Sequence, residues 1–312
     1  EDVGRGHRFK SIRTRTSQLT GRAGVGGLSL GLCLLLAACV PGDLPDAGGP
    51  APGMVKAATT QDRFEQWLLP SPDKGYLMRA RIVRPPGEGP FPLAVINHGS
   101  EQDPSRRKRA QQAEFQSLTD WFLKRGYVVV LPERPGHGGG GRYLEDQGGC
   151  ENADYAGSAN GAADSIAAAV DFMRKQDFVQ PSGTVVAGHS AGALGSLAYA
   201  ARAPAGLRAV VNFSGGRGGH HLNRPLNNCA PERLVAAASD FGRTSRVPTL
   251  WIYAENDSYF PPQLSSAMAE AFRNAGGRVD YVLLPPIGSE GHFVIVGDSW
   301  ASRLQGFLSS LP

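Results

Sequence analysis

Several features are scarce in this chain of 312 residues. Four cysteines are too few for a small domain that depends mainly on disulfides. The net charge is only +4 and comes from one end, because residues 1–39 carry six basic and two acidic side chains. The rest of the chain, with 26 residues of each sign, is neutral. A broad basic surface that binds nucleic acid is therefore not expected.

The apolar run near the N-terminus is too short to cross a membrane. It covers residues 25–38 and would reach about 21 Å as a helix, against a hydrocarbon core of about 30 Å. A basic stretch precedes the run and small side chains end it, which is typical of a secretory signal peptide. We therefore expect residues 1–38 to be a signal peptide.

The end of this run, Leu36-Ala37-Ala38-Cys39, resembles the lipobox of bacterial lipoproteins. The resemblance implies lipidation of Cys39 and a location in the bacterial cell envelope, with the lipid anchor as the one contact with the membrane. Ordinary signal-peptide cleavage, which would leave a soluble periplasmic or secreted protein, is the alternative. Residues 39–60 are rich in proline and glycine, so we expect them to form a flexible tether.

Two cysteines remain for the folded part of the chain. Cys33 is removed with the signal peptide and Cys39 carries the lipid, which leaves Cys150 and Cys229. An even pair in an oxidising compartment predicts a disulfide between them. Two separate buried thiols are the alternative.

Residues 61–312 alternate short apolar runs with longer helical patterns. Continuous apolar runs are typical of strands that are covered on both faces, and their alternation with helices favours a mostly parallel, twisted sheet between helices. We predict a single α/β domain here. The predicted strands are Tyr76–Val83, Leu93–Asn97, Tyr127–Leu131, Thr184–Ala187, Ala209–Phe213, Thr249–Tyr253 and Val279–Leu284. The predicted helices are Arg106–Lys124, Ala159–Lys175, Ala191–Ala201, Pro231–Phe241, Pro261–Asn274 and Ser299–Leu308.

The most informative motif is Gly188-His189-Ser190-Ala191-Gly192. It follows a predicted strand and precedes a predicted helix, which is the context of a nucleophile elbow with the pattern G-x-S-x-G. A serine in such a turn exposes its hydroxyl and needs nearly side-chain-free neighbours two positions away. Ser190 is the candidate nucleophile, and a structural turn serine is the alternative.

A serine nucleophile needs a histidine base that a carboxylate orients. After Ser190 the chain offers Asp257, which follows one predicted strand, and His292, which follows the next. The order Ser, Asp, His is that of the α/β-hydrolase topology. Asp257 is the candidate acid, with Glu255 and Glu290 as rivals, and His292 is the candidate base. The other histidines are expected to be polar loop residues without metal-ligand spacing, so no metal is predicted.

Together these motifs resemble the α/β hydrolases, and most closely the dienelactone-hydrolase-like branch. The resemblance covers residues from about 61 to 312 through the following groups: Asn97–Ser100, Arg134–Gly138, Gly188–Gly192, Asp257 and His292. Dienelactone hydrolases proper use a cysteine nucleophile, whereas this chain has Ser190, so dienelactone itself is not the expected substrate.

The resemblance implies acyl hydrolysis by a serine enzyme on the α/β-hydrolase fold. It also implies an oxyanion hole formed by the backbone amides of Ala191 and Ser100, with Gly99 and Glu101 as alternatives to Ser100. The segment Ser214–Cys229 is too short and too polar for a large lid domain, so an open site is expected.

Three functions agree with these observations. The first is hydrolysis of a small-molecule carboxylic ester through an acyl-enzyme, which requires no cofactor. The second is peptidase or amidase activity with the same residues. The third is a catalytically silent envelope lipoprotein that binds a partner, although a binding protein has no need of nucleophile, acid and base together.

Overall fold

The computed structural model describes residues 50–60 and 62–312. In chain order its strands are β1 (Gly53–Lys56), β2 (Glu65–Leu69), β3 (Met78–Val83), β4 (Leu93–Asn97), β5 (Val128–Pro132), β6 (Thr184–His189), β7 (Leu207–Phe213), β8 (Thr249–Ala254) and β9 (Val279–Leu284). Within the described residues these nine strands form one sheet in the order β1-β2-β3-β5-β4-β6-β7-β8-β9. The strands from β5 to β9 in this order pair in parallel, whereas β1, β2 and β3 pair antiparallel at one end.

Helices cover both faces of the sheet. They are α1 (Pro104–Arg109), α2 (Gln116–Leu123), α3 (Tyr155–Met173), α4 (Ala191–Ala201), α5 (Pro231–Thr244), α6 (Pro262–Asn274) and α7 (Ala301–Ser309). Val186 of β6 packs in the core with α3 to α6, and its neighbours Val185 and Ala187 pack in the core with α2 and α7. Because alternate strand residues are buried on opposite faces, the central strands read as continuous apolar runs. The predicted α/β architecture is confirmed.

The single helix predicted at Arg106–Lys124 is wrong. The structure has two helices, because Ala110 is extended (φ −58°, ψ 134°) and Phe115 is left-handed (φ 40°, ψ 56°). The side-chain amide of Gln112 donates from Nε2 to the carbonyl of Leu131 at 3.0 Å. This long-range contact holds the segment between the helices in a non-helical path.

Part of the predicted tether belongs to the sheet. Residues 53–56 form β1, which pairs with β2 at the edge of the sheet. Sequence reasoning missed both strands. The predicted signal peptide, Cys39 and residues 40–49 lie outside the described residues. None of the helices within 50–60 and 62–312 has the length and apolar character required to cross a bilayer.

The parallel strands place several loops at one edge of the sheet. The loops that follow β4, β6, β7, β8 and β9 all begin at the carboxyl ends of their strands, where open parallel sheets bind ligands. These loops carry Ser100, Ser190, Arg217, Asp257 and His292.

Candidate active site

Ser190 occupies a sharp turn between β6 and α4. Its backbone has φ 53° and ψ −122°, a conformation that is costly for a residue with a side chain. A Cβ added at Gly188 would lie 2.5 Å from the carbonyl carbon of Gly192, and one added at Gly192 would lie 2.3 Å from the carbonyl oxygen of His98. Both positions therefore require glycine, and the turn has the strand, turn and helix of a nucleophile elbow.

Asp257 and His292 face each other in the interior. Asp257 Oδ2 lies 3.4 Å from His292 Nδ1, and both side chains are buried. The other carboxylate oxygen, Oδ1, accepts hydrogen bonds of 2.9 Å from the amides of Tyr259 and Phe260. These two donors hold the carboxylate with one oxygen toward the imidazole.

The two rival carboxylates occupy other positions. Glu255 is exposed. Glu290 accepts hydrogen bonds of 3.0 Å from the backbone amides of Ser258 and His292, so it ties the acid loop to the base loop through the main chain.

One cavity of about 660 Å³ brings the predicted site residues together. Ser190, Ala191, Ser100 and His292 all line it, with Asp257 buried behind His292. The polar lining of the cavity includes Glu101, Gln102 and His137. Phe260 and Phe293 are among its apolar residues, whereas Trp251 lies in the core.

The backbone amides expected to form an oxyanion hole lie at the start of α4 and in the loop after β4. Ala191 is the first residue of α4, so its N–H has no partner within the helix and lies at the positive end of the helix dipole. Gly99 lies against the elbow, since a Cβ added there would be 3.2 Å from Ser190 Cβ. The hydroxyl of Ser100 bonds Tyr143 Oη at 3.1 Å and His137 Nε2 at 3.0 Å, which secures the loop after β4.

His189 precedes the candidate nucleophile and contacts the candidate base. Its Nε2 donates to the carbonyl of His292 at 2.9 Å, and the two rings lie 4.7 Å apart. Burial lowers the pKa of His189 to about 3, with a further contribution from His292. His189 is therefore neutral near pH 7 and supports the main chain of His292.

Sequence reasoning missed a buried ionic cluster beside the cavity. Glu145 forms ion pairs with Arg134 (2.5 Å between Nε and Oε1) and with Arg217. Burial alone would raise the pKa of Glu145, but the two guanidinium groups lower it below its usual value. Arg217 also donates to Tyr143 Oη at 2.8 Å, and Arg134 donates to the carbonyl of His98 at 2.7 Å. The cluster thus fixes three loops around the cavity.

The predicted disulfide between Cys150 and Cys229 is present. It joins the loop after β5 to the segment after β7. The backbone of that segment is left-handed at several residues. Ser214, His220, Leu222, Asn223, Leu226 and Ala230 all have positive φ angles. The segment Ser214–Cys229 is too short for a large lid domain, and its residues Arg217 and His220 line one wall of the cavity.

The sheet order and the strand, turn and helix around Ser190 define the α/β-hydrolase fold. The family model for X-Pro dipeptidyl-peptidase (S15 family) matches residues 74–227, slightly less than half of the chain. That match includes Ser190 and ends before Asp257 and His292. No curated protein matches the sequence significantly.

Solved structures with this fold include peptidases and esterases. Dipeptidyl peptidase 4 from Porphyromonas gingivalis has a TM-score of 0.58 at 15% identity, over 80% of this chain and 35% of that chain. Acetyl xylan esterase 1 from a Thermoanaerobacterium species has a TM-score of 0.56 at 17% identity, over 84% of this chain and 88% of the esterase. A Klebsiella pneumoniae protein assigned as a dienelactone hydrolase has a TM-score of 0.50 at 18% identity, over 79% of this chain and 99% of that protein. At these identities the likeness shows the fold, and the chain spans about a third of the length of the dipeptidyl peptidase.

Proposed function

We propose that this chain is a serine hydrolase that cleaves carboxylic esters. The proposal rests on one observation: Ser190 stands in a strained elbow on the same cavity as His292, which is backed by the buried carboxylate of Asp257. Nucleophile, base and orienting acid are the three groups that acyl transfer requires.

The mechanism follows from these positions. Ser190 Oγ attacks the acyl carbon as His292 Nε2 takes its proton, and the amides of Ala191 and Ser100 stabilise the oxyanion. The tetrahedral intermediate collapses and His292 donates the proton to the leaving alkoxide, which departs as the alcohol. His292 then removes a proton from water, whose oxygen attacks the acyl carbon, and returns that proton to Ser190 Oγ as the acid is released. These steps require neither metal nor organic cofactor.

A fluorophosphonate probe tests the nucleophile directly. The purified wild-type protein is expected to be labelled and to hydrolyse p-nitrophenyl acetate, and Ser190→Ala is expected to lose both properties while it keeps its circular dichroism spectrum. A folded wild-type protein that neither reacts nor hydrolyses esters would instead favour the silent binding protein.

Peptidase or amidase activity is the second candidate. It is favoured by the match of residues 74–227 to the X-Pro dipeptidyl-peptidase model. The two activities are separated by comparing kcat/KM for p-nitrophenyl esters with kcat/KM for aminoacyl and X-Pro anilides. A panel of ester chain lengths on the same protein would then define the acyl preference.

We further propose that the enzyme acts in the bacterial cell envelope, anchored through Cys39. Expression of the chain in bacteria fed a radiolabelled or alkyne fatty acid should label the wild type and leave Cys39→Ser unlabelled. Release of unlabelled wild-type protein into the periplasm would support ordinary signal-peptide cleavage.

A further inference from the structure

The imidazole of His292 is held by more than the carboxylate. The distance of 3.4 Å to Asp257 is longer than a usual hydrogen bond, so this contact alone constrains the ring weakly. The ring of Tyr259 stacks on the imidazole, with 4.2 Å between centroids and 21° between planes. This face-to-face contact restricts rotation of the imidazole out of its plane.

His220 stacks on Tyr259 in turn. The centroids of these two rings are 3.5 Å apart and their planes differ by 12°. His220 Nε2 lies 2.7 Å from the hydroxyl of Ser258, and that hydroxyl donates to Glu290. Since the serine proton is directed to the carboxylate, Nε2 of His220 is the donor to Ser258.

Glu290 closes these contacts into a ring. Its Oε1 accepts from the backbone amides of Ser258 and His292, each at 3.0 Å. Aromatic stacking therefore links His220 to His292 through Tyr259, and hydrogen bonds link the same two residues through Ser258 and Glu290. A closed set of contacts of this kind defines one position for each member.

The segment that carries His220 packs closely against Tyr259. His220 itself has φ 54°, and such backbone strain persists only where the surroundings enforce it. Gly219 permits the approach, because a Cβ there would lie 2.8 Å from the carbonyl oxygen of Tyr259. The side-chain amides of Asn228 and Gln102 bond the carbonyls of Tyr259 and Gly219 respectively.

We propose that His220 is a positioning residue that clamps Tyr259 onto His292 and so keeps the imidazole oriented for proton transfer. This inference rests on the proposed function. Tyr259 contacts the base directly and His220 acts through Tyr259. A displacement of about 1 Å at a reacting group can cost about 10²-fold in rate, and partial loosening of the ring is expected to cost less.

The test compares substitutions at the two stacked positions, with kcat and KM measured on p-nitrophenyl acetate. His220→Gln keeps a donor for Ser258 and removes the ring, so kcat should fall about tenfold with KM changed less than twofold. His220→Phe keeps a ring on Tyr259 and should retain kcat within about threefold. Arg224→Ala, at an exposed position in the same segment, is the matched control and should behave as wild type.

A double substitution separates positioning from general support. If His220 acts through Tyr259, His220→Gln should have less than a twofold effect in the Tyr259→Leu background. A tenfold further loss in that background, or full kcat in the single His220→Gln variant, would overturn the proposal. If His220→Gln does not fold, two variants of Tyr259 test whether a stacked ring orients His292. Tyr259→Phe keeps the ring and should retain kcat, whereas Tyr259→Leu removes it and should lower kcat about tenfold. A wild-type protein without esterase activity or fluorophosphonate labelling would instead contradict the proposed function itself.

Discussion

His189 Nε2 donates a hydrogen bond of 2.9 Å to the carbonyl oxygen of His292. The residue before the elbow serine therefore holds the main chain of the candidate base, although the two histidines are 103 positions apart. Because Ser190 follows His189 directly, this bond couples the position of the candidate nucleophile to that of the candidate base.

The first prediction concerns the acid. Asp257→Asn should lower kcat about 10⁴-fold on an ester substrate, because the amide favours the wrong tautomer of His292. The control is Glu255→Gln at the exposed position two residues earlier, which should keep wild-type kcat. His292→Ala should abolish turnover with folding intact. Equal activity of Asp257→Asn and wild type, together with a large loss in Glu255→Gln, would reassign the acid.

The second prediction concerns the close packing of the elbow. Gly192→Ala places a Cβ 2.3 Å from the carbonyl of His98. Overpacking of this kind should cost about 1–3 kcal/mol of unfolding free energy and reduce kcat at least about 10²-fold. Gly306→Ala is the control, because no atom lies within 4 Å of the added Cβ in α7. That variant should gain about 1 kcal/mol in urea unfolding with unchanged kcat.

The third prediction concerns the disulfide. The pair Cys150→Ala and Cys229→Ala, made together, removes a link across 79 positions of chain. The chain-entropy model gives a loss of about 4 kcal/mol of unfolding free energy, with less expected in practice. Urea unfolding of the oxidised wild type, the reduced wild type and the double variant measures it. Three superimposable curves would show that the link contributes nothing to stability.

The fourth prediction concerns stability at acid pH. Burial lowers the pKa of His189 to about 3 and of His137 to about 4, and it also lowers the pKa of His98 well below its usual value. These rings stay neutral in the folded state but take up protons in the unfolded state below about pH 6.5. Their stabilising contribution is therefore complete above that pH and is lost as the pH falls toward 4.

Urea unfolding at a series of pH values measures this effect. Each buried histidine should contribute up to about 1.4 kcal/mol per pH unit in that window. His137→Gln should flatten the dependence by about that amount between pH 6 and 4.5. An unchanged slope in this variant would mean that His137 is charged in the folded protein.

Much of the fold was predictable because its signals are local. The strand Leu93–Asn97 and the helix Ala191–Ala201 have the same bounds in the prediction and in the structure, since apolar runs and helix periodicity lie within a few residues. The edge strands β1 and β2 and the interruption between α1 and α2 were missed. The edge strands depend on the pairing of β1 with β2 and of β2 with β3, and the interruption depends on the hydrogen bond from Gln112 to Leu131. These contacts join residues that are distant in the chain, so no local sequence pattern predicts them.

The amino-acid sequence by itself determined the order of chemical groups and the layered architecture. Ser190, Asp257 and His292 follow β6, β8 and β9, and parallel strands bring their carboxyl ends to one edge. Only the tertiary structure decided what supports these groups: the ring of contacts that joins His220 to His292, and the pairing of Glu145 with Arg134 and Arg217. The residues in both sets of contacts come from loops that are far apart along the chain. They can meet only after the sheet has brought those loops together.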